Sequence, residues 1–236
     1  MEKKNLLAAL ALSVAIIFCG AMLPLAVKSF RSFDRTVSVK GLCEREVAAD
    51  KVIWPICFKN VNDDLGQLTA QMDKDKKIIL DFLKKEGISE EELTVNAPFI
   101  SDKFASTYGM DRKYRYISKS VITVCSHQVD KVTELSSKIT ELLKKGILIG
   151  GENEWDTANQ PRYEFEGLNE IKPEMIQQAT ANARVAAEQF AQDSGSKIGK
   201  IKNASQGTFS ISDRDSNTPQ IKKVRVVSSI TYCLDE

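Results

Sequence analysis

The stretch Ile171–Ser194, IKPEMIQQATANARVAAEQFAQDS, constrains this chain more than any other. Ile176, Ala179, Ala183, Ala186 and Phe190 recur at spacings of three and four, which puts a narrow stripe of mainly small residues on one helical face. A helix with so little side chain on one face lies close to its neighbour. Strand-like runs on both sides, Tyr163–Leu168 and Ile198–Ile211, make that neighbour a sheet. Pro173 suits the first turn, where its missing N–H costs nothing, and Gly195 stands where a left-handed residue would end the helix. The chain therefore reads as α+β, a mixed, mainly antiparallel sheet with helices packed on it.

Near the N-terminus, Leu6–Val27 is an uncharged, mainly apolar segment behind Lys3 and Lys4. As a helix it would extend roughly 33 Å, close to the hydrocarbon thickness of a bilayer. Residues 1–35 are accordingly expected to be a signal anchor and linker, with the membrane crossed by residues 6–27 and the folded part in the periplasm or outside. Cleavage near Cys19-Gly20-Ala21 and release to the periplasm is the alternative. Lysines and arginines flank both ends of the segment, so charge does not orient it. Residues 36–236 are expected to fold as one domain. Its 33 basic and 32 acidic side chains across the whole chain nearly cancel, so no global field steers it to nucleic acid.

Four of the five cysteines, Cys43, Cys57, Cys125 and Cys233, lie outside the apolar segment. Cys43 shares strand parity with Val37 and Val39, and Cys57 sits in VIWPICF, so both read as small buried hydrophobes. Cys125 and Cys233 share parity with polar neighbours and form the candidate disulfide if their strands are adjacent; free thiols are the competing reading.

In chain order, Thr36–Val47 and Lys51–Val61 read as a hairpin around an Ala-Ala-Asp turn. Pro55 cannot donate a ladder bond, which places the second strand at a sheet edge or at a bulge, where another subunit could add. A first helix spans Asp64–Glu86 and ends at Gly87; a strand Leu93–Ile100, a polar and aromatic loop and a strand Tyr114–Ser126 follow. The second helix is expected over Asp130–Lys145, then a hairpin of Ile147–Trp155 with Arg162–Leu168. After the third helix come Ile198–Ile211 and a last alternating strand, Lys222–Leu234. The order suggests two topologically related halves.

The opening Val37–Gly41, Asp50 at the first turn, FLKKEGISEEELTV (Phe82–Val95) and YRYISKSVITV (Tyr114–Val124) carry a family likeness. So do YEFEGLNEIKPEMIQQATANARVAAEQFAQDSGSKIGKI, QGTFSI and KKVRVVSSITYCL. With these the chain resembles the SIMPL domain family, the bacterial YggE-like and outer-membrane-antigen-like extracytoplasmic proteins. The resemblance implies an α+β domain outside the cytoplasm, members that form larger oligomers and a link to envelope or oxidative stress. It carries over no catalytic residue.

The residues themselves add little chemistry. His127 is the only histidine, and a strand would hold it about 6.5 Å from Cys125, too far for a nucleophile pair; it reads as a turn residue capping the second helix. No metal-ligand spacing or glycine-rich phosphate loop occurs, so no cofactor is expected. Arg184 can reach Glu188 one turn on, or a second subunit. Phe104, Tyr108 and Trp155 in or beside loops mark a contact surface or cover the sheet end. The expected function is non-enzymatic, by homo-oligomeric assembly or protein contact, with Pro55 and Arg184 as oligomer contacts. Two alternatives stand beside it: a small-ligand or lipid-binding module, and an enzyme in which acids such as Asp50, Asp156 and Glu164 converge.

Overall fold

The structure, a computed structural model, describes residues 13, 16–18, 20, 35–105, 113–150 and 159–235. Most of the apolar segment Leu6–Val27 lies outside the described residues, as do Tyr108, Trp155 and Asp156. Among the described residues no helix is long and apolar enough to cross a membrane.

The fold is α+β with antiparallel pairing, and it divides into two compact units. One consists of Glu46–Asn169 with Ile211–Lys223; the other of Met1–Arg45, Glu170–Ser210 and Val224–Glu236. The first strand, β1 (Thr36–Ala48), enters a four-stranded sheet, whereas β2 (Lys51–Asn62) enters a six-stranded one. The expected hairpin is thus a connection between two sheets.

In the larger unit, β2 is followed by α1 (Leu65–Lys85), β3 (Leu93–Val95), β4 (Phe99–Asp102) and β5 (Tyr116–Ser126). β2 and β5 run antiparallel from Val52↔Ser126 to Asn62↔Tyr116, and β3 and β4 both pair with the far side of β5. Asn96-Ala97-Pro98 divides what the sequence suggests is one strand. On one face of β2, Val52, Trp54, Ile56 and Phe58 are buried together with Ile122 and Val124 of β5. Ile79, Phe82 and Leu83 of α1 close over them. α1 begins at Asp64, whose carboxylate accepts the Gln67 N–H at 2.7 Å, and stops at Gly87, where φ is +84°.

The expected second helix is two pieces, α2 (Val129–Ser137) and α3 (Thr140–Lys144), which bury Val132, Leu135 and Leu142. β6 (Leu148–Ile149) and β7 (Arg162–Glu164) pair with β2 and not with each other. β2 therefore lies inside the sheet, and the edge position inferred from Pro55 is wrong. The proline sits in the gap between β7, opposite Lys51–Ile53, and β6, opposite Phe58–Lys59. No donor is needed there, and Asn159 fills the gap: its Oδ1 accepts the Cys57 N–H at 2.7 Å and its carbonyl the Trp54 indole N–H at 2.9 Å.

The smaller unit holds most of α4 (Leu168–Asp193) and of β10 (Ile221–Asp235), with β8 (Lys197–Gln206); β9 (Ser210–Asp213) also pairs with β10. The order is β1-β10-β8. β10 buries alternate residues, among them Val224, Val226, Ile230 and Tyr232. α4 ends as expected: Gly195 has φ +66°, its N–H reaches Gln192 O at 3.0 Å, and the Ser196 N–H reaches Ala191 O at 2.8 Å. Its start differs, for the helix opens at Leu168 and holds Pro173 in its second turn.

The buried row of α4 is Met175, Ala179, Ala183, Ala187 and Ala191, one residue away from the expected stripe at both ends. A strict four-residue spacing drifts by about 40° per step, so the contact follows a slanted ridge and Phe190 turns outward. Gly41 of β1 lies beneath this row, where a Cβ would come within 2.8 Å of the Ala183 Cβ and closer still to helix backbone. Glu174–Arg45, Gln178–Cys43 and Asn182–Leu42 contacts continue the same helix-to-strand line.

Each unit thus contains a long strand, a helix ended by a left-handed glycine, an interrupted strand and a second long strand that takes the middle of the sheet. The sequence suggests two consecutive halves, each opening on a hairpin; instead, the smaller unit's segments lie on both sides of the larger unit in the chain.

Two stability predictions follow. Gly41→Val forces α4 off β1 and should cost about 3 kcal/mol, read as a lowered midpoint in urea unfolding. Near α1, the Glu92 carboxylate accepts from Ser126 Oγ and from Ser89 N–H and Oγ. Burial raises its pKa, but these hydrogen bonds outweigh it and hold the group below the usual glutamate value. The stabilisation is complete above the unfolded-state pKa, about 4.3, and is lost as pH falls through the lower folded value. Glu92→Gln should therefore flatten the acid limb of a stability-versus-pH curve and leave its neutral slope unchanged.

Candidate functional site

The turn between β1 and β2 collects more long-range polar contacts than its short sequence, Ala49-Asp50, suggests. The Ala49 N–H donates to Gln220 O at 2.8 Å and the Asp50 N–H to Glu164 O at 3.0 Å. The two oxygens of the Asp50 carboxylate accept the Glu166 and Gly167 N–H groups, each at 2.8 Å. Next to it, Lys51 Nζ pairs with Glu166 Oε1 at 2.7 Å. All of these residues belong to the larger unit.

His127 comes to the same turn. Its Nδ1 lies 2.8 Å from the Asp50 carbonyl, and because a carbonyl only accepts, Nδ1 carries a proton there. The expected capping role is not seen, since Gln128 occupies the N-cap of α2. His127 instead ties the end of β5 to the turn.

Clefts open on both sides. One, of about 320 Å³, is lined by Tyr163, Glu164, Phe165, Glu166, Asp213 and Lys222. Lys222 is buried and pairs with Asp213. The other, of about 590 Å³, is lined by Ala49, His127, Asp130, Lys131, Gln220 and others. Of the three acids that could converge, Asp50 and Glu164 are brought together, and Asp156 lies outside the described residues. Asp50, Glu166 and Asp213 each hold a structural partner, and the Asp50 contacts clamp the turn. Among the described residues no group of three or more metal-ligating side chains forms. Sequence reasoning placed Asp50 but missed Lys222, whose burial on an alternating strand could have marked it, and Glu166 and Gly167, whose backbone role leaves no side-chain signal.

The other sequence candidates are dispersed. The four described cysteines are free thiols, with Cys125 exposed on β5 and Cys233 half-buried on β10. Those strands lie in different sheets, so the adjacency that a bridge required is not present. Cys43 lies under α4, where burial pushes its thiol pKa up and Sγ reaches Gln178 Oε1 at 3.2 Å. Arg184 pairs with Glu188 at 3.0 Å along the exposed side of α4. Open strand edges occur elsewhere: among the described residues β8 pairs only with β10, and all ten of its positions are partly or fully exposed, including Ile201 at 52%.

The family model described as "SIMPL: Protein of unknown function (DUF541)" matches residues 37–231. No curated protein matches the chain.

Removing the Asp50 carboxylate tests the clamp. Asp50→Ala leaves two backbone donors without their acceptor and should destabilise the larger unit by about 2 kcal/mol, whereas Asp50→Asn, which keeps one acceptor oxygen, should lose about half as much. Chemical denaturation of the three proteins reads the difference.

Proposed function

The chain belongs to the SIMPL family, and on that premise we propose that it is a membrane-anchored extracytoplasmic protein that acts by assembly with copies of itself rather than by turnover. The observation that carries this reading is the edge of β8, a ten-residue strand that among the described residues is paired on one side only. Unpaired N–H and C=O groups along such a strand accept another strand with little rearrangement. Ile201 adds an exposed apolar side chain to the same edge. The polar partners at the Asp50 turn support a non-enzymatic reading, since they fasten backbone rather than activate a nucleophile. Anchoring rests on the length of Leu6–Val27, and protection of the envelope under stress is what the family resemblance adds.

A second reading, a small-ligand module, draws on the cleft of about 320 Å³ beside Tyr163 and Phe165, which is of ligand size. Native mass spectrometry of the freshly purified chain separates the two, because a retained small molecule favours the module.

For assembly, light scattering of the full chain in detergent, across a concentration series, should give a fixed multiple of 26.3 kDa after subtraction of the micelle. Ile201→Lys should lower that multiple while changing monomer stability by less than about 0.5 kcal/mol. A monomer at every concentration overturns the reading.

A further inference from the structure

The cleft of about 320 Å³ holds a charge that the Asp50 turn does not use. Lys222 of β10 lines it, with a side chain 9% exposed, whereas that of its partner Asp213 is 49% exposed. A lysine ammonium carries three N–H donors and no acceptor. Among the described residues the Asp213 carboxylate is the one group that Lys222 Nζ meets, which leaves two donors over. Donors held away from bulk water are costly until an acceptor reaches them, and the cleft is where one can enter. All of the lining residues belong to the larger unit.

The other walls fix the character of that acceptor. Tyr163, Phe165 and Ile211 line the same cleft and offer apolar surface to the body of a ligand. Of the charged residues lining it, Glu164, Glu166 and Asp213 are negative and Lys222 is positive; Lys51, which reaches Glu166 Oε1 at 2.7 Å, adds a second positive charge. Three carboxylates thus stand against two ammonium groups. A carboxylate or phosphate ligand is opposed by that excess, and an ammonium ligand is opposed by the buried lysine itself. An uncharged amide meets neither obstacle. Its carbonyl accepts from Lys222, and its N–H donates to the half-exposed Asp213 carboxylate, whose oxygens have lone pairs to spare. We propose that this cleft binds a small uncharged carboxamide with an apolar body, held by the Lys222–Asp213 pair. The amide class is an addition to the small-ligand reading of the same cleft and rests on it.

Three compounds of one shape test the class: para-fluorophenylacetamide, para-fluorophenylacetate and para-fluorophenethylamine, which at neutral pH are uncharged, anionic and cationic. Fluorine NMR follows their binding to the full chain in detergent, with empty micelles as the blank. The amide should bind about ten times more tightly than either charged analogue, the factor given by one hydrogen bond to a charged group. Lys222→Met should weaken the amide by about the same factor. Asp213→Asn keeps an oxygen on Lys222, so the fold is retained, but it drops the negative charge and turns an acceptor into a donor. Preference in that variant should pass from the amide to the carboxylate. Amide binding that neither variant alters places the compound elsewhere and overturns the proposal. Tighter binding of the acid or the amine to the unsubstituted chain overturns the amide class while the small-ligand reading stands. If none of the three binds, the amide class is again overturned, and native mass spectrometry decides the small-ligand reading separately, since a retained molecule that is not an amide preserves it.

Discussion

The close approach of α4 to β1 is the constraint on which the smaller unit depends. Gly41 has no room for a side chain beneath Ala179 and Ala183, and the helix can lie that near only because the residues it sets over the glycine are alanines. Dispersion falls off steeply with separation, so a few tenths of an ångström at this contact change how well Val39, Ala187, Ile230 and Tyr232 close the core around it. The polar contacts from Glu174, Gln178 and Asn182 to Arg45, Cys43 and Leu42 then fix the helix along the strand.

The larger unit solves a different problem. Its core is built from large residues, Trp54, Phe58, Phe82 and Leu83 among them, and packing there tolerates a conventional amphipathic helix. Its demanding feature is the turn at Asp50, where the chain leaves one sheet and enters another within a few residues. Such a turn strands backbone donors, and one carboxylate with two oxygens satisfies the pair at Glu166 and Gly167. The polar density at this turn is therefore explained by connectivity.

Local signals read well. Gly87 after α1 and Gly195 after α4 are capping chemistry that acts over a few residues, and both appear where the sequence places them. The alternation of β10 is equally local. Pro55 was informative about hydrogen bonding and misleading about position: it does mark a missing ladder bond, but inside a sheet where two short strands leave a gap. His127 and Glu164 could be named as polar residues near turns, yet their meeting with Asp50 joins segments far apart in the chain.

By itself the sequence determined the α+β class, the glycine ends of α1 and α4 and the alternation of β10, because those follow from periodicity and from side chains acting on their own backbone. Tertiary structure alone decided that β1 and β2 part into separate sheets, that the buried row of α4 slants by one residue, and that Lys222, Asp213 and the Asp50 clamp lie around one turn. Strand partners are chosen by contacts between residues distant in the chain. Their free energies depend on packing that no short window of sequence contains.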